Sequence, residues 1–491
     1  TGAEPLCIPV FAGIFDGNDH SITGLKLAEM GSAVGLFRYV QEGARVQNLT
    51  VKGEIAPEGS QDQAGGIAGV NYGRIANCSF AGKVSGNGEV GGIAGVNEET
   101  GEIRGCENSA AIVGNHSAGG ITGNNKGILN NCTNSGTVNT SGTEVTYGLD
   151  DFTAENLEQI NSTSNVAAHT DTGGIAGISS GKIYYCSNEG TIGYQHVGYN
   201  TGGIVGRLHQ GYLQNCTNSG HVLGRKDVGG IVGHLAAGGH GTDVSVTVSD
   251  CYNLGTITAK DNAAGIAGRI QDGNTVTRCY NAGAITVGGE NIIDGAGAIV
   301  SLLTSGSTVS ECYYDAAQCD KGISSGSGDT AAMSRESMCS GELLALLGAG
   351  FKADSYGLVN GGYPLTYWQP TDYADEIDNV NELISAIGEV TLDSADAIIA
   401  ARNAYDNLED ELKAHVSGLE QLTAAEQALA ALQTLRETKD TAIRELREYK
   451  APEDYREIER AQLELIITEG NAAIETAADA DAVRAALVDA K

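Results

Sequence analysis

Short apolar runs, separated by glycine and asparagine, recur along the first part of the chain. The phrase Gly-Gly-Ile-Ala-Gly stands at 65–69, 91–95 and 173–177, with close variants at 119–123, 202–206 and 229–233 and looser copies around Ile266, Ile299 and Val34. The isoleucines at the centre of the phrase are 26, 28, 54, 29, 27, 35 and 33 residues apart. A repeat of this length predicts a solenoid, in which each unit buries its apolar face only against its neighbours.

A second signature follows each glycine phrase. A cysteine usually comes 11 to 13 residues after the isoleucine, and in most units an asparagine stands two residues beyond that cysteine. Within a unit, apolar residues alternate over three to five positions, which is too short for helices and fits strands. Glycine and asparagine are expected at the corners because both tolerate positive φ. This pattern therefore predicts three short strands in each unit. In the first full unit, the residues expected to face inward are Ile67, Ile75, Cys78 and Val84.

We therefore predict a mainly β fold, a right-handed parallel β-helix with one rung per repeat, over residues 1–370. The equivalent cysteines are expected to stack in one column, with parallel Cα–Cβ vectors about 4.8 Å apart. A disulfide needs converging Cβ atoms about 3.8 Å apart, so a buried ladder of reduced thiols is expected. Zinc is the alternative, but no CxxC pair occurs. The ladder comprises Cys78, Cys106, Cys132, Cys186, Cys216, Cys251, Cys279 and Cys312.

Several segments depart from the repeat. Residues 140–170 form the largest insertion and 236–245 a smaller one, and such insertions on solenoids often carry binding sites. Residues 331–370 are expected to cap the solenoid and cover its strand edges, with the single tryptophan, Trp368, in the cap or, alternatively, stacking on a sugar. Near this end, a disulfide among Cys312, Cys319 and Cys339 stays open.

The composition changes near residue 371. Only 3 of the 70 glycines lie beyond it, and Ala, Glu, Leu and Arg dominate there, as in helices. Apolar spacing of three and four residues predicts a three-helix bundle over 371–436, whose third helix covers about 423–435, and a second helical module over 437–491.

The formal net charge is −33, from 62 acidic and 29 basic residues. Such a polyanion is repelled by nucleic acid and by anionic lipid, so neither is an expected partner. No apolar run reaches 18 residues, so no membrane insertion is expected. The chain begins without methionine beside a repeat element, and we expect it to be a monomeric part of a longer protein.

The glycine phrases at 65–69, 91–95 and 173–177, with their trailing Cys-x-Asn, resemble the GLUG repeats of Gram-positive (Firmicutes-type) surface proteins, which also occur in large secreted IgA-peptidase-type proteins. Phe15-Asp16-Gly17-Asn18 and the run from Asn360 to Leu365 resemble the start and end of such a region. The stretch 387–394 is similar to FIVAR-like three-helix modules. The resemblance implies an extracellular, cell-wall-associated protein, and it carries over no catalytic residue.

Candidate chemistry is sparse. One candidate group is acidic and lies in the insertion: Asp150, Asp151 and Glu155. The other lies on successive rungs and comprises Arg207, His209, Arg225 and Lys226, of which Arg207 and Arg225 could line a groove for acidic sugars. A solvated polar face is the competing interpretation of both groups. The histidines lack metal-ligand spacing, no calcium-loop or nucleotide-loop motif appears in the required context, and no cofactor is expected.

Three functions remain open. The favoured one is a non-catalytic surface region that acts as adhesin-like ligand display and spacer, with host glycans or matrix proteins as partners. The second is an accessory region of a secreted peptidase or glycosidase whose catalytic domain lies elsewhere. The third is a β-helix polysaccharide lyase or hydrolase, which would need clustered carboxylates or a basic residue on one face.

Overall fold

The structure is a computed structural model that describes residues 7–28, 31, 33–58, 62–140, 170–194, 198–236, 245–271, 273–288, 295–370 and 372–491. The chain divides into two compact units, Thr1–Gln369 and Pro370–Lys491. The first unit is a parallel β-solenoid, as the repeat predicted, and the second is helical.

Each rung of the solenoid crosses two parallel sheets and a third side. The first sheet holds the strands that end at the first glycine of the phrase: Asp62–Gly65, Gly88–Gly91, His116–Gly119, Thr170–Gly173, Tyr199–Gly202, Lys226–Gly229, Ala263–Ala264 and Ala296–Gly297. The second sheet holds the strands that follow the isoleucine: Ile8–Phe11, Phe37–Val40, Ala68–Asn71, Ala94–Asn97, Thr122–Asn125, Ala176–Ser179, Val205–Leu208, Val232–Leu235, Ala267–Ile270, Val300–Leu303 and Ile323–Ser325.

The third side begins with long strands and then breaks into short strands around the cysteine and the asparagine, which is more divided than the single strand expected. Its strands are Ile14–Leu27, Arg45–Ile55, Arg74–Ser85, Glu102–Arg104, Glu107–Asn108, Ala111–Val113, Ile128–Asn130, Thr133–Asn134, Thr137–Val138, Lys182–Tyr184, Ser187–Asn188, Tyr212–Gln214, Thr217–Asn218, Val222–Gly224, Thr247–Ser249, Tyr252–Asn253, Ile257–Ala259, Thr275–Thr277, Tyr280–Asn281, Ile285–Val287, Thr308–Ser310, Cys312–Asp315 and Thr330–Met333. Strands of successive rungs pair parallel and in register, as Ile75, Ile103 and Leu129 do.

The interior is one continuous apolar core that runs the length of the solenoid. Ile67, Ile75, Cys78 and Val84, which the sequence predicted to face inward, are at most 1% exposed and belong to this core. The predicted thiol ladder is present. All eleven cysteines are free, and the eight ladder cysteines are buried. Cys312, Cys319 and Cys339, for which the sequence left a disulfide open, are free thiols in the structure.

Each ladder thiol lies against the carbonyl two residues before it, as Cys106 Sγ does against the Arg104 oxygen at 3.4 Å. Burial in this dry column raises the thiol pKa, because a thiolate there would lose its hydration. The effect is strong for Cys106, Cys132, Cys186, Cys251 and Cys312. These five thiols therefore stay protonated at neutral pH and behave as small apolar groups.

The asparagines of the Cys-x-Asn signature have a different role from the expected one. Their φ values are not positive, and their side chains point inward and are fully buried. Each Nδ2 except that of the last asparagine donates to the Oδ1 of the asparagine in the next rung, at 2.7–2.8 Å. We call this column the asparagine ladder: Asn108, Asn134, Asn188, Asn218, Asn253 and Asn281.

The asparagine ladder has defined ends. Phe80 occupies the same position in the rung before Asn108, and Tyr314 occupies it in the rung after Asn281. The first amide oxygen accepts from Ala110 N at 3.2 Å, and the last amide nitrogen donates to the Gly283 oxygen at 3.0 Å. Positive φ occurs instead one residue before the cysteine, where three of the residues are Asn77, Asn131 and Asn215.

The asparagine ladder also explains the doubled glycine of the repeat. A Cβ on Gly92 would lie 2.2 Å from both the Asn108 Oδ1 atom and the Gly120 carbonyl oxygen. The chain turns from the first sheet into the second against this ladder, so no side chain fits there.

The segment 331–370 corrects the expectation of an end cap. Thr330–Met333 completes a last strand, and short helices α1 (Arg335–Cys339) and α2 (Glu342–Leu347) follow, then a 3₁₀ turn, Gly348–Gly350, and the antiparallel strands Phe351–Lys352 and Leu365–Thr366. These elements pack on the outside of the third side, against the stacked rings of Tyr252 and Tyr280. The outward rings of Tyr252 and Tyr280 form an apolar patch on the flank, and these elements cover it. We call residues 334–369 the strap.

Trp368 belongs to this strap. Its Nε1 donates to the Asn215 carbonyl oxygen at 2.8 Å, and its half-buried ring packs near Tyr185. Trp368 is thus part of a lateral contact rather than of an end cap.

The second unit contains α3 (Asp372–Ser385), α4 (Ala395–Asp406), α5 (Asp410–Lys413), α6 (Leu419–Tyr449), α7 (Glu457–Thr476) and α8 (Ala480–Ala490), with 3₁₀ turns at Leu392–Ser394 and Pro452–Asp454. The predicted third helix is longer than expected. Helix α6 runs without interruption across the expected boundary at 436, packing with α3 and α4 through its first half and with α7 and α8 through its second. The two helical modules therefore share one helix.

Removing one member of the asparagine ladder should be costly. Asn218→Ala leaves one N–H of the Asn188 amide without its partner in a dry interior, and it also removes the bonds to the Asn253 oxygen and the Gly220 carbonyl. We expect a loss of about 3 kcal/mol in the free energy of unfolding. Urea denaturation followed by circular dichroism measures this. Glu189→Ala, at an exposed position beside Asn188, is the control and should be near neutral.

Thiol accessibility provides a second test. In the native protein, Ellman's reagent should modify only the half-buried Cys7, Cys319 and Cys339, and all eleven thiols should react in denaturant. Rapid native modification of more than three thiols would contradict the buried column.

Candidate functional site

The candidate cations from the sequence lie where the first and second sheets lean against each other. At this contact a Cβ on Gly206 would lie 2.5 Å from the Asp171 carbonyl carbon, so the two sheets approach within backbone distance. Side chains just outside this contact form two facing columns. Arg207, His234 and Arg269 are in register on the second sheet. Asp171, Asn200 and Asp227 stand at equivalent places on the first sheet. We call these six residues the charged row.

The residues of the first-sheet column are held in the left-handed region. Asp171, Asn200 and Asp227 have φ of 56°, 56° and 54°, which Asp and Asn tolerate better than other side chains. Asn200 Nδ2 donates to Asp171 Oδ1 at 2.7 Å, and Asn262 Nδ2 donates to Asp227 Oδ1 at 2.7 Å. Alternating Asp and Asn thus lets an amide donor satisfy each carboxylate along the rod.

Arg207 is neutralised within the charged row. Its Nη2 donates to Asp171 Oδ2 at 2.8 Å, and the arginine side chain is 39% exposed above a carboxylate that is 9% exposed. The next rung places His234 Nε2 2.8 Å from the Gln271 amide. With this amide turned so that its nitrogen donates to His234, its oxygen accepts from Arg269 Nη2 at 2.6 Å. A neutral imidazole fits this arrangement.

Arg225 and Lys226 are also engaged. Arg225 is only 2% exposed and lies over the ring of Tyr199, 5.9 Å from its centroid. Burial lowers the pKa of Arg225, and the nearby Asp261 carboxylate opposes that change. Lys226 Nζ lies 3.8 Å from Asp261 Oδ2. Burial raises the pKa of the Tyr199 hydroxyl, and Asp171 adds to the rise.

The structure thus brings Arg207 and Arg225 to one neighbourhood around Tyr199, with Lys226 on the Asp261 side. His209 follows the Arg207 strand and is half-buried; burial and Arg207 lower its pKa. The expected open groove for acidic sugars stays a prediction, and a ligand there would have to compete with the internal ion pair of Arg207. Asp150 and Asp151 lie outside the described residues, as do 141–169 of the larger insertion and 237–244 of the smaller one.

Sequence reasoning missed the carboxylates that pair with these cations. Asp171, Asp227 and Asp261 precede the glycine phrase by one or a few residues, where the chain reads Thr-Asp-Thr-Gly, Lys-Asp-Val-Gly and Asp-Asn-Ala-Ala. The recurrence of Asp or Asn before the phrase was the available signal. Within the part of the chain that the structure describes, no group of three His, Cys, Asp or Glu residues could hold a metal ion. None of the described helices is both long and apolar enough to cross a bilayer.

The two histidines of this region predict an acid-sensitive stability. Burial lowers the pKa of His209 and of His234 in the folded protein from the ordinary 6.5. As the pH falls to about 6.5, these two histidines therefore take up protons in the unfolded chain before they do so in the folded protein. Stability should therefore be complete above pH 6.5 and decline as the pH falls through it. Urea midpoints at pH 7.5, 6.5 and 5.5 measure the slope.

A pair of variants assigns this pH dependence. His234→Gln should flatten the slope, because it removes one group that is neutral in the folded state. His20→Gln, at an exposed position on the first rung, should keep the wild-type slope. Equal slopes in all three proteins would contradict the assignment.

Comparison with known proteins gives three results. The family model for the GLUG motif matches residues 61–85. Halomucin from Haloquadratum walsbyi is 31% identical over 104 residues, a match that covers 20% of this chain and 1% of that protein. A crystal structure of a Bacteroides ovatus protein, provisionally described as an immunoglobulin A1 protease, is 18% identical and covers 72% of this chain and 77% of its own, with a TM-score of 0.30. The chain carries the GLUG motif, and the predicted resemblance to GLUG-repeat proteins is confirmed.

Proposed function

We propose that this chain is a non-catalytic extracellular region of a larger surface-associated protein, in which the solenoid displays a ligand-binding flank and the helical unit acts as a spacer. The GLUG motif and the halomucin match, which spans about 1% of that protein, support membership of a long repeat-containing polypeptide. The proposed partners are host glycans or matrix proteins.

One observation carries this proposal: polar groups of the charged row and of its neighbours are engaged between rungs. Within the row, Arg207 is bound by Asp171, and Asp171 is also bound by Asn200. Beside the row, Lys226 lies near Asp261. A general acid or base must reach a substrate proton, and carboxylates engaged in this way are poorly placed to do so. The geometry therefore favours a scaffold over a catalyst.

Labelling of intact cells and binding assays test the proposal together. An antibody against this chain should label unpermeabilised cells, and the full chain should bind at least one member of a glycan array or a panel of matrix proteins. Asp150→Asn with Asp151→Asn, and separately Arg207→Gln, locate the flank: the variant that loses binding marks it. Absence of surface labelling and of all binding would refute display.

The hypothesis of a polysaccharide lyase or hydrolase is tested by incubating the full chain with neutral and uronate-containing polysaccharides. We expect neither new reducing ends nor absorbance from unsaturated products. Product formation that disappears in Arg207→Gln would replace the scaffold proposal with an enzymatic one.

A further inference from the structure

The last stretch of the strap contacts one rung of the solenoid after another. Tyr363 donates to Asp315 Oδ2 at 2.9 Å, and Pro364 accepts from the Tyr280 hydroxyl one rung earlier. Gln369 accepts from Tyr252 at 2.9 Å, one rung further toward the N-terminus. The strap thus returns from the last rung toward the middle of the solenoid.

The strap ends at two earlier rungs. Trp368 Nε1 is bonded to the Asn215 carbonyl oxygen, and the Tyr367 hydroxyl is bonded to that of Tyr185. The Tyr185 ring meets Tyr367 edge-on at 5.8 Å and lies 6.2 Å from Trp368. We call the contact of Tyr367 and Trp368 with Tyr185 and Asn215 the foot of the strap.

Tyr185 is an unusual residue for its position. Its φ is 61°, in the left-handed region that bulky side chains rarely occupy. The other rungs place mostly small polar residues there: Asn48, Asn77, Gly105, Asn131, Asn215 and Asp250, followed by Arg278 and Glu311. An aromatic residue held in this backbone conformation indicates that the ring serves a purpose other than turning the chain. Beyond its chain neighbour Tyr184, its ring contacts are with Tyr367 and Trp368.

The foot is also where the solenoid passes into the helical unit. The second unit begins at Pro370, directly after Gln369. Tension between the two ends of the chain therefore reaches the solenoid at Gln369, which accepts from Tyr252, and at the foot, before it reaches the rest of the strap.

We propose that the strap is a release device: its foot detaches before any rung opens, and residues 334–369 then peel away as a unit. This inference rests on the proposed spacer role only for the origin of the tension. The foot is held by ring contacts and single hydrogen bonds at half-buried or exposed side chains. Each rung, by contrast, is fixed by in-register backbone pairing on several sides and by the buried ladders.

Two internal probes test the order of release in the full chain. Trp368 is the only tryptophan, so its emission reports the foot, and the reactivity of the ladder thiols reports the rungs. In a urea titration the Trp368 emission should shift to the red at a lower urea concentration than the one at which the buried thiols begin to react. Coincident transitions would overturn the proposal.

The variant Tyr185→Asn tests whether the foot can be weakened without weakening the rungs. Asparagine is the residue of several other rungs at this position, so the backbone accepts it and the solenoid should fold. We expect the Trp368 transition to move to lower urea while the thiol transition stays in place. Tyr212→Thr is the control. It removes a tyrosine ring that is not part of the foot and that stacks on the ring of Tyr184, with the centroids 6.2 Å apart. We expect it to leave both transitions unchanged. Equal shifts of both transitions in Tyr185→Asn would show that Tyr185 supports the rungs rather than a separable foot.

Single-molecule pulling on the ends of the full chain gives the mechanical readout. The first event within the solenoid unit should lengthen the chain by roughly 130 Å, the contour of the 36 strap residues at about 3.6 Å each. This event should occur at lower force in Tyr185→Asn. Rungs that open before this event would overturn the device, whereas failure of surface labelling would affect only the spacer role.

Discussion

In-register stacking of one rung on the next is the constraint on which the rest of the solenoid depends. Parallel pairing forces equivalent residues into columns, so every inward position must suit a neighbour of its own kind. Isoleucine and valine satisfy this by apolar contact, and cysteine does so as a small buried thiol. Asparagine does so because one amide carries both the donor and the acceptor that its neighbours need. Charged side chains would repel in such columns, and they appear instead in alternation or on the surface.

The charged row follows the same rule with opposite partners. Two carboxylates in successive rungs would repel, but Asn200 stands between Asp171 and Asp227. Arg207 then binds Asp171 from the second sheet. The result is a locally neutral polar seam in a strongly acidic chain. The seam joins two sheets that glycine has already brought within backbone distance, so its residues contribute to the architecture as well as forming the candidate surface.

The sequence predicted what depends on period, and it missed what depends on the environment of a single position. The spacing of Ile67, Ile93 and Ile121 was sufficient for the solenoid and for the thiol column. The inward turn of Asn108 and its equivalents was missed, because asparagine is equally favourable at an exposed corner, and only the register distinguishes the two. The lateral strap was missed because the outward direction of Tyr252 and Tyr280 follows from the rung geometry. The continuous helix α6 was missed because no residue between 435 and 438 signals either a break or a join.

The asparagine ladder has a consequence for how such a molecule can change its length. All of its amides point the same way, and Phe80 and Tyr314 close the two ends. A duplicated unit inserted between any two members would meet a waiting oxygen on one side and a waiting N–H on the other. The same unit added beyond either aromatic residue would have nothing to join. Growth or shrinkage by whole repeats is therefore easiest in the interior, and the terminal rungs are under the strongest constraint to keep their identity.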